Sequence, residues 1–313
     1  MSEITRRDIK ANGIRMHVAE AGEGPLVVML HGFPEGWYSW RHQLAALSEA
    51  GFHAVAPDQR GYGRTDRPPE VEKYSMMHLV GDVIGLLDAL EESQAVVVGH
   101  DCGAPVAWNT ALWRPDRVSG VVGLSVPFRR RGRRPPLDVY REVLGERFYQ
   151  IYFQEPGVAE RDLEADVRHT LLQVLWGASG EAPSVYDGMV QEEGLVASFG
   201  APDRLPAWLR EGDLDNFVKQ FESTSLPWWQ GGRQQPEDGC AQPQADRGAL
   251  RLRSLDPTGA TGGGQLDAAG VRAGPVNAVL DPEVVLRSDF GARRAKVPRM
   301  IRDAADVAGQ ALF

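Results

Sequence analysis

The sequence predicts an α/β protein built on a mostly parallel sheet. Short, continuous apolar runs stop at loop residues, as fully buried strands do. An amphipathic helical pattern lies between two of these runs. Strands and helices that alternate in this way form parallel sheets with helices on their faces.

Each element follows from the pattern of its segment. Residues 14–20 alternate apolar and polar side chains, which predicts a half-buried antiparallel strand. Apolar side chains three or four residues apart predict a helix over residues 75–92. The continuous runs predict buried strands over residues 26–30, 52–56, 95–98 and 118–126.

A helical insertion is predicted after the fourth buried strand. The arginine-rich segment 129–136 cannot continue a core strand, and we interpret it as a solvated connector rather than a phosphate site. Helical patterns then cover residues 139–154, 160–176 and 214–221. We therefore expect an insertion over residues 137–229.

The last part of the sequence differs in composition from the rest. Of 25 aromatic residues, 23 precede residue 231, and no histidine follows His169. Residues 231–313 carry a net charge of +1, whereas the body carries −10, and the segment has little apolar periodicity. We expect this segment to pack less well than the body. A loosely packed tail and a change of coding frame near residues 227–231 both explain its composition.

Composition also bounds the function. The net charge of −9 argues against nucleic-acid and anionic-membrane partners. The sequence contains no apolar run that would serve as a signal peptide or a membrane span, so we expect a cytoplasmic protein. Cys102 and Cys240 are too few for a disulfide framework or a zinc site, and we expect free thiols.

Asp101 lies at the centre of the motif that carries the chemistry. Gly99-His100-Asp101-Cys102-Gly103 follows a buried strand and opens a helix, which is the context of a nucleophile elbow. A carboxylate held at such a turn can attack carbon and form an alkyl ester. The structural alternative is an aspartate that only caps the helix.

Three further motifs accompany the elbow. His31-Gly32-Phe33-Pro34 follows a buried strand, Asp58-Gln59-Arg60-Gly61-Tyr62-Gly63 follows the next, and residues 148–160 lie in the insertion. Together the four motifs resemble those of the soluble epoxide hydrolases of the α/β-hydrolase fold, across about residues 10–225. The resemblance implies a core over residues 1–128, a helical cap over 129–229, and an atypical segment, 230–313, where the rest of the core is expected.

The resemblance also implies roles for individual residues. Asp101 would be the nucleophile, and the backbone N–H groups of Phe33 and Cys102 would form the oxyanion hole. Tyr149 would hydrogen-bond the epoxide oxygen, although helix packing is its alternative role. We interpret His100 as a hydrogen-bonded core histidine. The expected substrates are a small or medium apolar epoxide and water, without a metal or organic cofactor.

The sequence departs from the family pattern in its last third. The family completes its site with a second cap tyrosine, an acid after a late strand and a C-terminal histidine, whereas no tyrosine follows Tyr186 here. Asp256 and Asp281 compete for the acid, and we assign neither. Cys102 occupies a position that is often tryptophan in the family. A haloalkane dehalogenase, a binding protein and an inactive truncated or frame-shifted remnant are the alternatives.

Overall fold

The computed structural model describes residues 3–128, 132–183 and 186–222, together with the strand formed by residues 283–286. Its sheet has seven strands in the order β1-β2-β4-β3-β5-β6-β7. The central strands β4, β3, β5 and β6 run parallel, and the outer pairings β1/β2, β2/β4 and β6/β7 are antiparallel. The strands span Thr5–Ala11 (β1), Ile14–Ala21 (β2), Leu26–Leu30 (β3), His53–Pro57 (β4), Ala95–His100 (β5), Val118–Leu124 (β6) and Glu283–Leu286 (β7).

Side chains along the strands alternate between the two faces of the sheet, and each face has its own hydrophobic core. Val28 and Val97 point to one face of the sheet, where they pack against helices α2 (Met76–Ala89) and α3 (Gly103–Trp113). Val27 and Val96 point to the opposite face, which α1 (Arg41–Glu49) covers. Because both faces are buried, the central strands need continuous apolar runs, and the prediction of a mostly parallel α/β sheet is confirmed.

The predicted strand over residues 14–20 is antiparallel, but it is not half-buried. Of its eight residues only Arg15 is exposed. Strand β1 was not predicted, and it pairs with β2 along its whole length through a turn at Asn12 and Gly13. Five of the seven residues of β1 are exposed, so its sequence is mostly polar and lacks the pattern of a core strand.

The segment after β6 is helical, but the helix lengths differ from the apolar patterns. The first two patterns are interrupted, whereas the helix predicted over 214–221 extends beyond both of these bounds. The helices are α4 (Pro136–Leu144), α5 (Tyr149–Tyr152), α6 (Val158–Leu163), α7 (Val167–Gly177) and α8 (Glu211–Glu222). The predicted helix over 139–154 ends early because Gly145 has a φ of +85°. The predicted helix over 160–176 divides before Asp166, whose side chain accepts the backbone N–H of His169 and begins α7.

Several predictions lie outside the described residues. These are the packing of residues 230–282 and 287–313, the free thiol of Cys240 and the competing acids Asp256 and Asp281. The division into core, cap and tail stays a prediction. Within the part of the chain that the structure describes, no helix is long and apolar enough to cross a membrane.

Candidate active site

Asp101 lies on a sharp turn between β5 and α3. Its φ is +48°, in the left-handed region that side chains other than glycine rarely adopt. Its backbone N–H points to the end of β6, toward the carbonyl of Leu124 at 3.3 Å and Oγ of Ser125 at 3.2 Å. A Cβ on Gly103 would lie 2.3 Å from the carbonyl oxygen of Leu30, so only glycine lets α3 begin this close to the sheet. The strained turn presents the Asp101 carboxylate beyond the carboxyl end of the sheet.

Residues 31–36 form the loop after β3, called the oxyanion loop below. The backbone N–H of Phe33 in this loop donates to Oδ1 of Asp101 at 2.9 Å. A Cβ on Gly32 would lie 2.4 Å from the Cβ of Asp101, which explains the glycine at that position. The loop and the elbow are therefore in direct contact, and one carboxylate oxygen is held by a backbone donor.

A buried carboxylate joins the oxyanion loop to β5. Oε2 of Glu35 accepts the backbone N–H of Gly32 at 2.9 Å and lies 3.1 Å from Nδ1 of His100. Burial alone would raise the pKa of Glu35, but the charge of His100 and the two hydrogen bonds outweigh it and lower the pKa. Burial alone would lower the pKa of His100, but the charge of Glu35 and the hydrogen bond to it outweigh burial and raise that pKa. The pair thus links His100, the residue before Asp101, to Gly32, the residue before Phe33.

A second anchor holds the oxyanion loop from the side of β4. Nδ1 of His31 lies 2.8 Å from the carbonyl of Gly32, and its Nε2 accepts the backbone N–H of Gln59 at 3.0 Å. Burial lowers the pKa of His31, so the ring is neutral and can accept that bond. Asp58 accepts the backbone N–H of Trp37 at 2.9 Å. The loop is thus fixed at both ends by buried polar groups.

Tyr149, at the start of α5, lies within electrostatic range of Asp101. Burial, and then the charge of Asp101, raise the pKa of Tyr149, so its hydroxyl keeps its proton at neutral pH. The hydroxyl oxygen of Tyr149 accepts a hydrogen bond from Nε2 of Gln150 at 2.9 Å. Phe153 packs edge-on against both Tyr149 and Phe33, with centroid distances of 6.0 and 6.1 Å. These contacts place the Tyr149 ring and Phe33 of the oxyanion loop against the same apolar cluster.

The structure brings all four predicted site residues into contact or electrostatic range. Phe33 donates a hydrogen bond to Asp101, and the charge of Asp101, after burial, raises the pKa of Tyr149. Cys102 lies between Asp101 and α3, and it is a free cysteine with an exposed side chain. The roles of all four residues stay predictions.

Two further groups near the site had no assigned role in the sequence. Glu35 stands two residues after Phe33, and its only signal was a carboxylate beside a glycine-rich turn. Tyr186 lies 6.3 Å from Tyr149 between ring centroids, and burial followed by the charge of Tyr149 raises its pKa. It is 37 residues from Tyr149 in sequence, and no local pattern connects the two. Among the described residues, no group of three or more His, Cys, Asp and Glu side chains could hold a metal ion.

Comparisons with known proteins agree with this geometry. The family model of the alpha/beta hydrolase fold matches residues 25–173. Epoxide hydrolase 2 of Siraitia grosvenorii is 48% identical over 230 residues, which cover 72% of this chain and 71% of that protein. Epoxide hydrolase A of Mycobacterium tuberculosis (strain ATCC 25618 / H37Rv) is 42% identical over 232 residues, 72% of each chain.

Solved structures give the same result. An epoxide hydrolase from an endophytic Streptomyces has a TM-score of 0.72 at 41% identity, and the match covers 77% of this chain and 76% of that one. The epoxide hydrolase VrEH1 from Vigna radiata has a TM-score of 0.68 at 43% identity, covering 74% and 72%. With a carboxylate on a sharp strand-to-helix turn, a backbone donor on that carboxylate and relatives of this similarity, the chain belongs to the epoxide hydrolase family of the α/β-hydrolase fold.

Proposed function

We propose that this protein opens small or medium apolar epoxides by forming an ester with Asp101. The observation that carries the proposal is the Asp101 carboxylate on its strained turn, with Oδ1 on the N–H of Phe33 and the protonated hydroxyl of Tyr149 near its charge. The relatives named above are epoxide hydrolases, which favours an epoxide over the carbon-halogen bond of a haloalkane dehalogenase.

Ring opening needs a nucleophile and a proton donor. Since Oδ1 is held by Phe33, we assign the attack to Oδ2 of Asp101. Its electron pair forms a bond to a ring carbon while the bond between that carbon and the epoxide oxygen breaks. The oxygen takes the proton of the Tyr149 hydroxyl, which a raised pKa keeps in place until charge develops. The product is a hydroxyalkyl ester of Asp101.

Ester hydrolysis needs water and a base. Water would add to the ester carbonyl carbon, and the N–H groups of Phe33 and Cys102 would stabilise the negative oxygen that forms. Collapse would break the bond between the carbonyl carbon and the ester oxygen, release the diol and restore the Asp101 carboxylate. The proton lost by the attacking water would restore the Tyr149 hydroxyl. A histidine near the C-terminus provides the base in the family, and no histidine follows His169 in this sequence. The second step is therefore the slow one in this proposal.

The test is covalent labelling by styrene oxide followed by mass spectrometry of the Asp101 peptide. The wild-type protein should gain one substrate-sized adduct there. Asp101→Asn should fold normally and gain none, because an amide is a far weaker nucleophile than a carboxylate. Asp116→Asn changes an aspartate outside the site, paired with Arg114 on the surface, and should label like the wild type.

A bromoalkane of similar size separates the two reaction classes. Faster labelling by the bromoalkane than by styrene oxide would support a dehalogenase. Undiminished labelling of Asp101→Asn would remove Asp101 from the role of nucleophile.

A further inference from the structure

Helix α8 has two contact faces, and the second of them lies against the end of the oxyanion loop and the residues that follow it. Leu214, Val218 and Phe221 are buried in the apolar cluster of the helical segment. A second face carries Asp213, Phe217 and Gln220, at helical spacings of four and three residues. Each of these three residues contacts Gly36, the last residue of the oxyanion loop, or Tyr38, which follows shortly after it.

The polar contact on this face is made by Asp213, which is only 9% exposed. Its Oδ1 accepts a hydrogen bond from the Tyr38 hydroxyl at 2.8 Å and lies 3.5 Å from the guanidinium group of Arg41. The Arg41 guanidinium also covers the Tyr38 ring, 4.5 Å from its centroid. Burial and then the hydrogen bond to Asp213 raise the pKa of Tyr38, so its hydroxyl stays a donor.

Two apolar or close contacts extend the same face. Phe217 packs edge-on against Tyr38 at 5.8 Å between ring centroids. A Cβ on Gly36 would lie 2.5 Å from Oε1 of Gln220, so the Gln220 side chain lies against the loop backbone there. Gly36 is three residues from Phe33, whose N–H holds the nucleophile. A displacement of α8 therefore reaches the oxyanion donor through a short, anchored segment.

We propose that Asp213 is a positioning residue, which holds the oxyanion loop against the nucleophile from the helical segment. Tyr38 transmits this restraint along residues 36–38 to Phe33. The proposal rests on the proposed function, since it assigns a role to the same N–H group. It implies that Asp213 governs the rate of ester formation more than the binding of the epoxide, because neither Asp213 nor Tyr38 is assigned a contact with substrate.

The experiment combines local amide hydrogen exchange with single-turnover labelling in full-length protein. Tyr38→Phe removes only the hydroxyl and keeps the ring contacts. Asp213→Ala removes the acceptor, and it also removes the hydrogen bond that the backbone N–H of Arg210, at the start of α8, donates to Oδ2 of Asp213. Asp215→Asn is the matched control, since Asp215 lies on the exposed face of α8 and pairs with Arg168 on the surface.

We expect exchange over residues 33–38 to rise about tenfold in Tyr38→Phe and in Asp213→Ala, which is the scale of one hydrogen bond to a charged group. The rate of Asp101 labelling should fall about tenfold, whereas the epoxide concentration for half-saturation should change less than about threefold. Asp215→Asn should match the wild type in both measurements.

Unchanged exchange over residues 33–38 in a folded Tyr38→Phe protein would overturn the proposal. An equal rise of exchange across the whole protein would also overturn it, because that result indicates a general loss of stability. If the wild-type protein gains no adduct, the proposed function fails, and the exchange of the two variants still decides whether Asp213 holds the loop.

Discussion

At the scale of single residues, the most informative contact is the buried pair of Glu35 and His100. Both side chains are only 2% exposed, and they lie 3.1 Å apart. The pair joins the oxyanion loop to strand β5, which ends at His100, directly before Asp101. A buried ion pair of this kind tolerates loss of one partner poorly, since the other charge is then left uncompensated.

The pKa directions make this pair dependent on pH. Glu35 has a lowered pKa, so its contribution is present above its ordinary value of 4.5 and is lost as the pH falls through the lowered pKa. His100 has a raised pKa, so its contribution is present below its ordinary value of 6.5 and is lost as the pH rises through the raised pKa. The stabilisation should be complete between pH 4.5 and 6.5.

Glu35→Gln should therefore lower the free energy of unfolding most between pH 4.5 and 6.5, by an amount on the order of 3 kcal/mol. Urea denaturation of wild type and variant at several pH values measures the difference, in which the other titrating groups largely cancel. Glu146→Gln, at an exposed ion pair, is the control. A difference that stays constant as the pH rises through neutral would contradict the assignment of a charged His100.

At the scale of elements, backbone conformation decides what each glycine contributes. Gly13 lies in the turn between β1 and β2 with a φ of +77°, whereas Gly212 lies in the first turn of α8 without a positive φ. An added Cβ would meet no atom within 4 Å at either position. The two sites therefore differ in backbone conformation and not in available space.

Alanine should have opposite effects at these two positions. Gly212→Ala should stabilise the protein by roughly 0.5 to 1 kcal/mol, because alanine favours the helix and restricts the unfolded chain. Gly13→Ala should destabilise it by about 1 to 2 kcal/mol, because a Cβ is strained at positive φ. Chemical denaturation measures both changes. Equal signs would show that packing, and not φ, controls these positions.

At the scale of the whole molecule, the proposed chemistry divides along the chain. Asp101, the proposed oxyanion donors and Tyr149 all occur before residue 150, whereas no histidine follows His169 to supply the base that the family places near the C-terminus. The first half-reaction and the second half-reaction therefore depend on different parts of the sequence. Loss of general-base assistance typically costs about 10² to 10⁴-fold in rate.

We expect protein of this sequence to consume about one equivalent of epoxide and to retain the ester. Mass spectrometry should show a persistent adduct on the Asp101 peptide, with little diol in solution. Sustained turnover by protein of verified sequence would show that another group supplies the base. Substitution of His100, the histidine adjacent to the nucleophile, would then be the next measurement.

The sequence by itself determined the class of fold, the elbow and the family. Continuous apolar runs identified the central strands because a strand buried on both faces has no polar positions, and β3 has the predicted bounds. Asp101 stood out because small residues surround it between a strand and a helix. Each of these signals lies within a short segment of the sequence, so it can be recognised before the fold is known.

Only the tertiary structure decided which distant residues meet. The bond from Phe33 to Asp101 spans 68 positions, and the bond from Tyr38 to Asp213 spans 175. Strand β1 was not predicted because five of its seven residues are exposed and it is held by backbone pairing with β2 along its whole length. Such contacts depend on how the sheet and the helices stack, and no periodicity within one segment encodes that arrangement.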